Sequence, residues 1–436
     1  MKRRLILLLV MPISLLVGCV QPIPSPTMTV EPQREINVSD NLDSFDIVWQ
    51  TINDTYFDPT FGGLDWNEAR ERYRPLIAAA QEDETFYELI NGMLFELNVS
   101  HVGVVPPDDK EQLDLVLSAE GSVGIQVRLL GDEAVITSVR PGSPGAQAGL
   151  RPGFVLQRID GQTVQEIADE TLQIPPWHER NRRKLVTGAM LSRLYGPAGE
   201  AISITYLDEK GVRYEQRIVR AEREGRVALD PAFPPFFVEF EARRLNGDIG
   251  YVRFNAFLPP VHERFPEAIA SLRDARGLII DLRGNHGGVF PVRKGLAEQL
   301  VQERVLFWSY KGRDSTREVY LEPARDAYTG PLVVLIDVMS LSSAEEFSGA
   351  MQAIDRAVIV GERSAGICVV GDVIQLPNGA TFIYPIEQTR TAGGTVLEGH
   401  GVTPDVEVKL DRALLLQGVD SQLEAAVEYI ERRVPE

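Results

Sequence analysis

Histidine is scarce in this chain of 436 residues: there are five, His101, His178, His262, His286 and His400. None forms a His-x-x-x-His pattern, and the two cysteines, Cys19 and Cys368, form no Cys-x-x-Cys pair. A bound metal would lack its usual ligand spacing, and no cofactor is called for. Basic runs with interleaved aromatics are also missing. With 63 acidic residues against 44 Lys and Arg, the net charge is −19. Such a chain repels nucleic acid and anionic lipid surfaces and stays soluble by its charge. Apolar runs long enough to cross a bilayer are lacking too. The best candidate, residues 5–17, is interrupted by Pro12 and reaches about 20 Å at ~1.5 Å per residue, short of a ~30 Å hydrocarbon core.

What the N-terminus does contain is a positive Lys2-Arg3-Arg4 followed by that short apolar stretch, the pattern of a signal peptide over residues 1–18. It ends in Leu16-Val17-Gly18-Cys19, which resembles the lipobox of bacterial lipoproteins. The resemblance implies cleavage before Cys19, lipidation of its thiol and a membrane-anchored, extracytoplasmic protein, in the periplasm or on the cell surface. The other reading is an ordinary signal peptide with an incidental cysteine. Residues 19–40, rich in Pro, Thr, Ser and Gln, read as a flexible tether. Cys368 stands between Ile367 and Val369-Val370 and reads as a buried, inert thiol. With Cys19 lipidated, no intrachain disulfide can form.

The remainder divides by texture. Residues 41–114 form a helical module: Phe45, Val48, Trp49 and Ile52 follow helical spacing, as do Phe86, Leu89, Ile90, Met93 and Leu94. Pro106-Pro107-Asp108-Asp109 breaks that pattern. Residues 115–222 turn to short strands and glycine-rich turns, including 141–146, 149–154 and the strand 155–161 ending in Asp160-Gly161. This order resembles a bacterial PDZ domain, with closing strands over 200–220 and a helix with an extension over 165–193. By that resemblance an extended peptide adds to a strand edge, and the amides of Val123, Gly124 and Ile125 hold its carboxylate. The alternative is a domain that merely packs on its neighbour. Residues 223–436 alternate strands (250–254, 277–282, 331–337, 357–360) with helices (266–273, 289–302, 343–354). That pattern predicts an α/β layered domain on a mostly parallel sheet, with its chemistry at the C-terminal strand ends.

Two strand ends carry candidate chemistry. After the first comes Asp281-Leu282-Arg283-Gly284-Asn285-His286-Gly287-Gly288, whose paired glycines let backbone amides approach a ligand and whose following helix favours negative charge. After the second come Ser340, Ser342 and Ser343 ahead of Ala344-Glu345-Glu346-Phe347. A serine at a sharp strand-to-helix turn exposes its hydroxyl while the next amide completes an oxyanion site. The competing reading is a helix cap, with Glu345 or Glu346 closing a capping box.

Together the two phrases resemble the catalytic core of the C-terminal-processing and tricorn-type serine peptidases (tail-specific protease relatives), a family that also carries a PDZ domain. The resemblance runs from about residue 42 to the end and includes 361–366 and 398–405. It implies a crotonase-like layered β/α core with Ser342 as nucleophile, Ser343 being the neighbouring candidate. The Ser343 amide, with Gly287 or Gly288, would supply oxyanion donors. The lysine of the C-terminal-processing branch is replaced by Ile367, which cannot take a proton. The tricorn-like branch uses a histidine from a Ser-His pair and a late glutamate, matched here by Ser100, His101 and Glu398. His101 is then the base, oriented by Ser100 and Glu398. His286 and His400 flank the site as fallback bases, and His178 and His262 read as surface residues. Ser343 stands where tricorn has an aspartate, so residue choice at the cleavage point need not carry over.

These readings converge on a serine endopeptidase that binds peptide C-termini or unfolded segments through its PDZ domain and hydrolyses them through an acyl-enzyme. The alternative is a non-catalytic binding lipoprotein on the same fold. The complete set Ser100, His101, Ser342 and Glu398 discriminates against it.

Overall fold

The computed structural model describes residues 38–172, 179–230 and 233–433. The predicted signal peptide, Cys19, most of the tether and His178 lie outside these residues. No described helix is long and apolar enough to cross a membrane.

The N-terminal apolar periodicity gives three helices, Val38–Thr55, Trp66–Ala79 and Asp83–Phe95. The proline pair expected to break the pattern does the opposite. Pro106 caps and Pro107 opens a fourth helix, Pro107–Leu117, with Asp108 and Asp109 in its first turn. A proline at the first helical position loses no hydrogen bond, and acidic residues there complement the helix dipole. Between the third and fourth helices the strand Gly103–Val105 pairs with Thr381–Thr391 of the C-terminal region. The module also shares its core with Val369, Phe382 and Tyr384. It is therefore packed into the catalytic region, and the loop carrying Ser100 and His101 reaches it.

The PDZ-like region is an antiparallel sheet in the order Ile125–Leu130, Glu133–Val139, Val155–Ile159, Ala201–Leu207, Arg213–Val219. The predicted helix with an extension is two helices, Val164–Thr171 and Glu179–Leu194. The chain enters and leaves through a small sheet in which Gly121–Ser122 pairs with both Tyr195–Gly196 and Ala221–Glu222, so both connections lie side by side.

In the C-terminal region a six-stranded sheet runs Phe240–Leu245, Ile249–Phe254, Gly277–Asp281, Leu332–Ile336, Val358–Gly361, Val406–Glu407. Only the first pair is antiparallel. Gly277–Asp281 and Leu332–Ile336 are buried along their whole length, as central parallel strands are. The helix placed over 266–273 starts earlier, at Pro259–Ser271, with Pro259 at its first position and Pro266 inside. Pro259 stands in the first turn, where its missing N–H costs no hydrogen bond, and so opens the helix seven residues before Pro266. The other two crossover helices are Phe290–Glu298, shorter than expected, and Ser343–Ala353.

Phe347 on helix Ser343–Ala353 is fully buried, 5.5 Å from the ring of Phe257, and anchors that helix to the core beneath the second strand end. Phe347→Ala is expected to cost about 3–5 kcal/mol, read as a lowered urea midpoint at unchanged slope. A loss under ~1 kcal/mol would mean that this contact is not what seats the helix.

Candidate active site

The two strand ends meet over a glycine turn. Asp281 closes the first strand and is fully buried, held ionised well below its usual range by Arg283 and Arg253 against the cost of burial. From there the chain runs to Gly287 and Gly288, both at positive φ, 85° and 139°. A side chain does not fit at either. A Cβ on Gly287 would lie 2.8 Å from Cβ of Ser342, and one on Gly288 would lie 2.3 Å from the Phe257 carbonyl oxygen. The loop is tied to the second strand end by the Gly284 amide donating to Asp337 (3.0 Å) and the Leu341 amide donating to the Asn285 carbonyl (2.9 Å). Of the two glycines expected as a second oxyanion donor, Gly287 is excluded because its amide donates to Asn285 Oδ1 at 2.9 Å. The amides of Gly288 and Ser343 donate to no other described residue.

The three crowded serines separate cleanly. Ser340 donates to the Leu282 carbonyl at 2.8 Å and Ser343 to the Gly288 carbonyl at 2.7 Å, both fully buried. Ser342 is half-buried and sits at φ 49°, ψ −114°, a strained conformation that survives only where the surroundings over-determine it. Its amide donates to Glu345 Oε2 at 3.1 Å. The capping role and an exposed-serine turn thus coexist.

Ser100, His101 and Glu398 come together. Ser100 donates to Glu398 through its amide (2.7 Å) and hydroxyl (3.0 Å), and its Oγ lies 2.8 Å from His101 Nδ1. With the hydroxyl proton given to Glu398, Oγ accepts from Nδ1–H, which leaves Nε2 with a free lone pair. Burial, with the Glu345 charge added, pushes Glu398 up to about 7 despite amide hydrogen bonds from Cys368 and Ser100. Among the described residues no hydrogen bond joins Ser342 to His101. They are bridged instead through successive amides. Glu345 accepts from Gly366 (2.6 Å) and Ile367 (2.9 Å), and Glu398 accepts from Cys368 (2.6 Å). Ile367 thus contributes its backbone amide, while the fully buried Cys368 adds a thiol hydrogen bond to Glu345 beside its own amide bond to Glu398.

The other histidines stand apart. His262 is exposed, and His400 is exposed with Nδ1 2.9 Å from the Glu398 carbonyl. His286 packs on Phe236 with ring centroids 5.4 Å apart. Burial and the charges of Arg128 and Arg223 push it down to about 4.

Lys184 and Arg293 lie near the site without any sequence motif to mark them. Lys184, on the PDZ-like helix Glu179–Leu194, is fully buried. Burial pushes its ammonium down to about 8 against the negative charges of Glu345 and Glu398. No local motif marks it, because the neighbourhood exists only once the PDZ-like domain docks. That docking uses Arg128 to Asp337 (2.7 Å) and Arg183 to Glu362 (2.9 Å). The expected peptide nest has partners inside the PDZ-like region itself. Val123 and Ile125 are buried, and the Gly124 amide donates to Ser122 Oγ at 2.8 Å. On edge strand Ile125–Leu130, the Val127 and Leu129 carbonyls accept from Arg128 (2.9 Å) and Arg183 (3.2 Å). One amide of the expected nest and two carbonyls of the edge strand are therefore already engaged inside the protein.

Comparison with known proteins agrees with this architecture. Residues 248–408 match the model of peptidase family S41, residues 40–95 the tricorn protease C1 domain, and residues 135–174 a PDZ domain. A carboxyl-terminal-processing protease of Synechocystis sp. is 25% identical over 393 residues, covering 88% of this chain and 85% of its own. Carboxyl-terminal-processing peptidase 2, chloroplastic, of Arabidopsis thaliana is 28% identical, with 82% and 67% covered. The solved photosystem II D1 C-terminal processing protease shares the fold, with a TM-score of 0.56 at 21% identity over 88% of this chain and 98% of that one.

Burial, with the Lys184 charge added, pushes His101 down to about 3. By NMR its imidazole is expected to stay neutral well below pH 6.5, and Lys184→Met, which removes a positive neighbour, to move the midpoint upward. A wild-type midpoint at or above 6.5, unmoved by Lys184→Met, would contradict this electrostatic coupling.

Proposed function

We propose that this chain, which belongs to the C-terminal-processing and tricorn-type serine peptidases and is a serine-type hydrolase, works through the histidine-based tetrad Ser342, His101, Ser100 and Glu398. The observation that carries this is the bridge of three successive amides, 366 to 368, between Glu345 under Ser342 and Glu398 under Ser100 and His101. It supports a reading in which the nucleophile turn and the Ser100–His101 pair act together through His101 Nε2.

The chemistry follows from the geometry. Ser342 Oγ attacks the scissile carbonyl and passes its proton to His101 Nε2. Charge developing on the carbonyl oxygen is met by the amides of Ser343 and Gly288. His101 protonates the leaving amine, and water, activated by the same imidazole, releases the acyl group. Ser100 and Glu398 hold the ring in its working tautomer and offset its positive charge.

The PDZ-like domain selects the chain to be cut, an unfolded segment or an exposed C-terminus. A peptide pairing with edge strand Ile125–Leu130 has to displace the guanidiniums of Arg128 and Arg183 from the Val127 and Leu129 carbonyls. Those arginines also hold Asp337 and Glu362, so peptide binding and undocking of the domain are linked. The N-terminal sequence supports an extracytoplasmic lipoprotein anchored at Cys19.

Fluorophosphonate labelling of the full chain in detergent tests the catalytic assignment. Labelling is expected to vanish in Ser342→Ala and to fall by ~10³-fold or more in His101→Ala. Labelling that persists in Ser342→Ala would move the nucleophile elsewhere. Membrane fractionation tests the anchor: Cys19→Ala is expected to release the protein to the soluble fraction, and retention on the membrane would argue against lipidation there.

A further inference from the structure

We propose that the Ser343 hydroxyl and Arg293 are positioning residues that hold the two oxyanion amides, of Ser343 and Gly288, at a set separation. This rests on the serine-peptidase reading above and adds to it the device that keeps its oxyanion site rigid.

The two amides belong to different loops, one after each central strand, which the Leu341 amide and Asn285 carbonyl already join a few residues away. At the amides themselves the link is a side chain. Ser343 Oγ donates to the Gly288 carbonyl at 2.7 Å and accepts from Arg293 Nη1 at 2.7 Å. The hydrogen bond thus joins the same two residues whose amides point into the site. On the glycine side, the Phe257 amide donates to the Gly287 carbonyl at 2.6 Å. That bond orients the peptide unit whose other end is the Gly288 N–H. The Gly288 residue is then held on both sides, and its amide has one direction left.

Arg293 is itself immobilised. It lies on helix Phe290–Glu298, which follows the glycine loop, and it is 4% exposed. It ion-pairs with the equally buried Glu346 on the helix that follows Ser342. It also donates to Tyr310 Oη and lies flat over Trp308 at 4.2 Å. Glu346 accepts from Thr389 as well. The guanidinium fork therefore reaches Ser343, Glu346 and Tyr310 together, a geometry that an ammonium cannot reproduce.

The test is the second-order rate of fluorophosphonate labelling across pH for the full chain. Ser343→Ala is expected to slow labelling by about 10- to 100-fold, less than deletion of a donor. The factor should be the same at every pH, because the His101 relay is untouched. Arg293→Lys is expected to lose less, and to add under about twofold when combined with Ser343→Ala, since both act through one bond. The proposal fails if Ser343→Ala labels within about twofold of wild type. It fails equally if the acid limb of the pH profile shifts, or if the two losses multiply. Should Arg293→Lys not fold, the size and pH-independence of the Ser343→Ala effect decide alone. Labelling retained in Ser342→Ala would count against the catalytic reading, a separate result.

Discussion

Two carboxylates, the buried Glu345 and the half-buried Glu398, reading consecutive backbone amides are the constraint on which the active region depends. Glu345 and Glu398 come from helix Ser343–Ala353 and a C-terminal loop, yet both close on the segment 366–368. The N–H bonds favour the ionised form of each carboxylate and offset part of the cost of burial, which still raises both above their ordinary range. The donors are main-chain groups, so the arrangement tolerates the loss of the lysine side chain that relatives place after that glycine. Ile367 keeps the amide, and in the mechanism proposed above the proton acceptor is a histidine delivered from the N-terminal module, about 240 residues upstream of Ser342.

The delivery has a structural reason. Strand Gly103–Val105, just past His101, pairs with Thr381–Thr391, and Asn91 both donates to and accepts from Val104. The Ser100–His101 turn is thus fastened a few residues from a sheet edge. His101 itself sits at φ 55°, a second strained residue in the same site. Strain at Ser342 and His101 together fits a region whose geometry is set by its surroundings rather than by local preference.

The PDZ-like domain brings charge to its interface with the C-terminal region. Arg128, Arg183 and Lys184 all come from it, and each faces an acidic group of the catalytic region. Asp337 accepts from Arg128 and also from the Gly284 and Met339 amides. A residue of the docking interface therefore shares one carboxylate with the glycine loop. A buried pair such as Arg128–Asp337 adds little net stability but is costly to break singly.

Much was legible in the chain itself. The apolar runs at 277–282 and 331–337, the glycines at 287–288 and the serines at 340–343 announced two parallel strands ending in a site, because burial and turn chemistry are written locally. Element boundaries were less secure: Pro107 and Pro259 start helices, and only the neighbouring residues decide whether a proline opens or breaks one. The choice among Ser340, Ser342 and Ser343 needed the carbonyls of Leu282 and Gly288, which come from another strand end. Likewise Gly288 rather than Gly287 keeps a free amide because Asn285 folds back on its own loop. Lys184 and Arg293 carry no motif at all. Their roles come from charges brought close by docking and helix packing, and distances of that kind exist only in the folded chain.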